Sequence, residues 1–287
     1  MAAHRWLAAA AACVALAASG ARTDELMQKS GLNAQIAQFE KLVLRGVEEG
    51  IADSVNNRRG KDLTAEERAQ LRSVVASSFN TQRLRGEVRT SLAKTLSPAD
   101  EAVVLAWLDT DLGRRIAAID VKYAEITVTM PERQLVSQVA DARKGLTETR
   151  VELLRRLGSA LAMGEASTRT VTSILTSVMY GVMSSLDLSV ADVDLIKRGL
   201  EARRDNIAHA MRQGAVARYA HQYKSLDDEE LEKFVNFVES PAGLKFYDAT
   251  AAALEQAIAH ASLDFGKQFG EISKARKQSR PSSTAPR

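Results

Sequence analysis

A single cysteine, Cys13, rules out an internal disulfide in this 287-residue chain. Five prolines, two of them within the last seven residues, leave long uninterrupted stretches for helix. Aromatic residues make up only 5% of the chain, while alanine, leucine and valine abound, a balance that suits packed helices better than sheets. Beyond residue 21 only three histidines remain, His209, His221 and His260, and no His-Glu-x-x-His occurs. His209 and His221 are twelve residues apart on one expected helix, roughly 18 Å along its axis, too far to share a metal ion. Walker and Rossmann glycine patterns are missing, as is a Gly-x-Ser-x-Gly elbow. These absences remove the usual signatures of nucleotide, metal and serine-nucleophile chemistry, and no cofactor is implied.

The first 21 residues read as a secretory signal: a basic start at His4 and Arg5, an apolar run from Trp6 to Ala18, and Ser19-Gly20-Ala21 as a cleavage site. That run is shorter than the ~20 residues a spanning helix requires. Cys13 lies inside the run, which is the wrong place for a lipidation cysteine. The expectation is an exported, periplasmic protein cleaved near Ala21, with no cysteine and no stable membrane span in the mature chain.

Charge gives a second exclusion. Seven of the 39 basic residues lie in the leader, at its border, or in the tail from Lys274 onward, and neither segment holds an acid. The body from 23 to 273 therefore carries 32 bases against 36 acids, a net charge of −4. A mildly acidic body argues against nucleic acid as a partner. The tail over 274–287 reads as a disordered basic end.

The most informative stretch runs from Leu226 to Leu254. Asp227 with Glu230 forms a capping box, flanked by Leu226 and Leu231 as a hydrophobic staple. Leu231, Phe234, Val235 and Val238 then share one helix face. Ser240 and Pro241 restart the chain as N-cap and first helical residue. Gly243 follows in the first turn, where glycine costs roughly 1 kcal/mol of helix propensity, so a close backbone approach is expected there. About 130 residues earlier the pattern recurs: Ser97-Pro98-Ala99-Asp100, then Val104, Trp107 and Leu108, then Thr110-Asp111-Leu112-Gly113 and Arg115. Glu25-Leu26-Met27 with Gly31 likewise resembles Glu152-Leu153-Leu154 with Gly158, and Asp62-Leu63-Thr64 resembles Asp187-Leu188-Ser189.

At Glu229, Glu230, Leu231, Phe234, Phe237, Ser240, Pro241, Gly243 and Lys245 the chain resembles a bacterial family of exported helical domains, catalogued only as a domain of unknown function. The likeness covers most of 151–265 and, more weakly, 24–125, where Thr110 and Asp111 replace Ser and Pro. The resemblance implies an all-helical exported domain and no particular activity.

The expected architecture is all-α: two repeated helical-bundle units, 22–130 and 151–273, joined by a connecting helix over 131–150. Helices are expected over 24–54 with a break near Gly31, from Thr64 toward Thr95, over 132–158, and to about Phe269. The boundary between units falls at Ile126–Pro131. The uncharged stretch 170–186 is expected to pack closely through Gly181, Ser177 and Ser185, against another helix or as a dimer seam. The residues singled out for the hinges are Trp107, Gly113, Arg115, Phe237, Ser240, Pro241, Gly243 and Lys245. Arg115 and Lys245 are candidates for anion binding near a helix N-terminus, or else for pairing with nearby acids. The acidic run from Asp227 to Glu232 is explained by the helix dipole. The leading functional reading is a non-enzymatic module that binds a protein partner, with a homodimer among the forms considered. The alternative is a carrier or sensor of a small apolar ligand held between helices, with 170–186 as one wall. An enzyme comes third.

Overall fold

The computed structural model describes residues 21–56, 64–161, 163–186, 198, 199, 202 and 204–278. The leader with Cys13, Asp62 and Leu63, the matching stretch Asp187-Leu188-Ser189 and the end of the basic tail lie outside these residues. Among the described residues every regular element is a helix. α1 covers residues 21–29. It is followed by α2 (Leu32–Ile36), α3 (Phe39–Asn56), α4 (Ala65–Ser78), α5 (Thr81–Thr95), α6 (Pro98–Leu108), α7 (Asp111–Thr129), α8 (Glu132–Asp141) and α9 (Glu148–Ala160). Then come α10 (Met163–Leu186), α11 (Arg204–Gln222), α12 (Asp228–Val238) and α13 (Pro241–Gln278). No described helix is long and apolar enough to cross a membrane.

The caps fix where the helices begin. Thr64 with Glu67, Ser97 with Asp100 and Asp227 with Glu230 all form complete capping boxes. Gly31 adopts φ 73°, the left-handed turn that ends α1.

Three helix expectations are corrected. The stretch from Thr64 to Thr95 is two helices, because Asn80 accepts hydrogen bonds from the Gln82 and Arg83 amides and starts a new one. The buried stripe Leu71, Val74, Val75, Phe79 and Leu84 continues across that break. The stretch 132–158 is also two helices, parted by a turn in which Gly145 takes φ 73°. The last helix extends past Phe269 to Gln278.

Two cores form, and the hinges weave them together. One gathers Leu26, Met27, Ile36, Val75, Leu84, Val88, Leu92, Val104 and Leu108 with Phe246, Ala253, Ala257 and Phe265 of α13. The other gathers Leu153, Leu154, Leu157, Tyr219, Tyr223, Leu231, Phe234 and Val238 with Ile116 of α7. So α6 serves the first core while α7, directly after it, serves the second. For α12 and α13 the assignment is reversed. Trp107, Phe237 and Tyr247 pack against both.

α10 runs parallel to α13 in backbone contact. A side chain at Gly181 would meet the Leu263 carbonyl oxygen at 2.4 Å, and one at Gly266 would meet the Val178 oxygen at 2.1 Å. The Ser185 hydroxyl donates to the Lys267 carbonyl at 2.7 Å. The expected close approach through Gly181 is thus made, and the helix that comes close is α13.

Candidate functional site: two interlocked hinges

Each hinge is built around one hydroxyl. Ser240 Oγ donates to the Phe237 carbonyl at 2.6 Å and accepts from the Gly243 amide at 3.1 Å. Thr110 Oγ1 donates to the Trp107 carbonyl at 2.7 Å and accepts from the Gly113 amide at 2.9 Å. One oxygen therefore ties the last turn of the first helix to the first turn of the second. This satisfies a carbonyl and an amide that helix ends otherwise leave unpaired. Threonine does what serine does, so the sequence departure at Thr110 leaves the hinge geometry intact. At the next position Asp111 replaces Pro241, placing an acid in the first turn of α7, where the helix dipole favours it. The glycines are required by space. A Cβ on Gly243 would sit 2.0 Å from the Phe237 carbonyl oxygen, and one on Gly113 would sit 2.1 Å from that of Trp107.

The hinges face one another and exchange contacts. The Trp107 and Phe237 rings stack with centroids 4.4 Å apart and planes 8° from parallel. Arg115 donates to both oxygens of Glu230, at 2.6 and 2.5 Å, and to the Ser225 carbonyl at 3.1 Å. Lys245 bonds Asp100. Asp100 and Glu230 are the third helical residues of the two capping boxes. Each hinge cation therefore reaches the carboxylate that closes the cap of the opposite hinge. A further correspondence lies at the helix C-caps: Lys29 bonds Asp109 at 2.6 Å, and Arg156 bonds Glu239 at 2.6 Å.

Charge explains the titration of these groups. Lys245, then the Ser97 cap, holds the Asp100 carboxyl down at about 2. Arg115, then the Asp227 amide, lowers that of Glu230. A carboxyl held low in the folded state stabilises it above the ordinary carboxyl range, and that contribution disappears as pH falls through the lowered value. Lys245→Ala should therefore unfold at lower urea than the parent at pH 7, with the gap closing as pH approaches 2. A gap of equal size at both pH values would contradict this assignment. The pairs are solvent-exposed, so they fix the mutual register of the hinges more than they add stability.

Beneath the stacked rings lies a cavity of about 120 Å³, lined by Trp107, Gly113, Ile116, Asp120, Phe237, Phe246, Tyr247 and Thr250 among others. Asp120 Oδ1 accepts from the Tyr223 hydroxyl and the Gln222 amide, both at 2.8 Å. Burial raises the Asp120 carboxyl to about 6, and the two hydrogen bonds oppose that rise.

The sequence pattern singled out the residues that meet at the hinges and left Asp120 aside. Its signal was present: Gly113, Ile116 and Asp120 recur at helical spacing, so an acid sits on an apolar stripe. Glu101 is the same kind of case. It is fully buried in register with Val104 and Leu108, and it accepts from the Thr23 hydroxyl at 2.6 Å.

The histidines stay apart. His221 is buried against Gln138 and the edge of Tyr123, with burial lowering its pKa, while His260 contacts Glu87 on another face. Among the described residues no three His, Cys, Asp or Glu side chains gather as a metal site.

A comparison with known protein families, with curated proteins and with solved structures finds no match.

Proposed function

We propose that this chain is a non-enzymatic binding module of the periplasm, built from two divergent copies of one helical unit and acting through a protein partner. The observation that carries this reading is the reciprocal clasp between the hinges. The cations proposed for anion binding, Arg115 and Lys245, both engage carboxylates of the opposite hinge. Trp107 and Phe237 stack on each other. The hinges thus act as a lock that holds a rigid body, and recognition falls to the outer helix faces. Exposed apolar side chains stand there, among them Val136 on α8 and Leu175 and Tyr180 on α10. Exchange of equivalent contacts is also what a two-fold relation between duplicated units produces.

The carrier reading has less support. It needs α10 as the wall of an apolar slot, yet α10 meets α13 backbone to backbone at Gly181 and Gly266.

Photo-crosslinking in the cell envelope from positions 136, 175 and 180 tests the module reading, alongside native mass spectrometry of the periplasmic protein. The expected result is a discrete crosslinked protein from at least one position and no lipid-sized adduct. A co-purified apolar molecule would establish the carrier instead. Failure to crosslink from all three positions would remove the outer faces as the binding surface.

A further inference from the structure

The cavity under the clasp combines features that together specify a ligand. Its walls carry four aromatic rings, those of Trp107, Phe237, Phe246 and Tyr247. Its polar groups include the Asp120 carboxylate and the Thr250 hydroxyl. Thr250 Oγ1 is buried and has no hydrogen-bond partner among the described residues. The Gln222 amide and the Tyr223 hydroxyl both donate to Asp120 Oδ1, and both are neutral. Among the described residues no lysine, arginine or histidine lines the cavity.

A carboxylate taken out of water needs a countercharge or a proton. The groups around Asp120 offer neither. Tyr219 and Tyr223 on α11 and Tyr247 on α13 all have hydroxyls whose pKa is raised, by burial first and also by the nearby Asp120 charge, so they stay neutral. With its carboxyl at about 6, Asp120 is mostly ionised at pH 8. A cation from outside would supply that countercharge. Aromatic faces favour an organic cation, whose C–H groups they can flank while they attract its charge. An N–H donor is favoured by Thr250, which offers an acceptor. Volume limits the size: at about 30 Å³ per water-sized group, the cavity takes roughly four non-hydrogen atoms.

We propose that this chamber binds a small primary ammonium ligand, ammonium itself or a short alkylammonium, with Asp120 as countercharge and Thr250 as second acceptor. The site is separate from the partner-binding faces and does not depend on them.

Thermal unfolding of the mature protein in methylammonium chloride tests the site, with equal concentrations of sodium, potassium and tetramethylammonium chloride as references. At about one hundred times its Kd, methylammonium should raise the midpoint by about 5 °C at pH 8. At pH 5, where Asp120 holds a proton, the rise should largely vanish. The reference salts should not reproduce it, since the alkali ions carry no N–H and tetramethylammonium is both larger and without one. Asp120→Asn should abolish the rise, and Thr250→Val should weaken binding about tenfold. An equal rise in sodium or potassium chloride, or one that survives in Asp120→Asn, overturns the proposal. Should Asp120→Asn fail to fold, labelled methylammonium settles the matter by NMR. Cross-relaxation between its methyl group and the Trp107 or Phe237 ring supports the site, and its absence at saturating ligand overturns it.

Discussion

Gly243→Ala should destabilise the protein by about 2 kcal/mol or more, and Gly113→Ala by a similar amount. Two effects compete. Alanine in the first turn of a helix ordinarily gains roughly 1 kcal/mol over glycine. Here its Cβ would lie 2.0 Å from the Phe237 oxygen at residue 243, or 2.1 Å from the Trp107 oxygen at residue 113. No rotamer relieves such a contact, because both atoms belong to the framework. The hinge must open, and opening it pulls Ser240 or Thr110 off the two groups it bridges. It also tilts a ring out of the Trp107–Phe237 stack. Overpacking therefore outweighs propensity. Urea unfolding measures the balance, and an alanine variant as stable as the parent would show that the hinge is looser than described.

The second large effect is expected where α10 crosses α13. Gly266→Val should cost about 3 kcal/mol. Its side chain would meet the Val178 carbonyl oxygen at close to 2.1 Å, with the Gly181 Cα at 3.0 Å behind it. α10 is held to α13 along its length, so displacement at one point should loosen its whole run. Hydrogen exchange gives the local readout: amides of residues 172–183 should lose protection before those of α12. Uniform loss across both helices would instead mean that α10 unfolds only with the rest.

What could be read from the sequence was local. Capping boxes span four residues, and all three within the described chain are complete. The hinge glycines were legible because glycine is a poor choice in a first helical turn unless space demands it. The break at Asn80 had a faint signal, the five-residue step from Phe79 to Leu84, which a single helix face spaced by three and four does not make. The break at Gly145 was hidden because Leu135, Val139, Leu146, Leu153 and Leu154 read as one broad apolar side running past it. The clasp itself was beyond local reading. Arg115 and Glu230 are 115 residues apart, and Lys245 and Asp100 are 145 apart. Repetition indicated that both hinges mattered, but it carried no information that each would answer the other. Asp120 was concealed in a different way, as a lone acid on an apolar face, a pattern that ordinary helices also show when a side chain reaches solvent.

The weaving of hinge helices between the two cores has a mechanical consequence. α7 leaves its own half to fill the other, and α13 does the same in return, so neither half can be pulled away whole. Separating them means extracting a helix from each core, which exposes Ile116 on one side and Phe246 with Phe265 on the other. A cut in the backbone at the Gly145 turn would leave the two pieces hooked together.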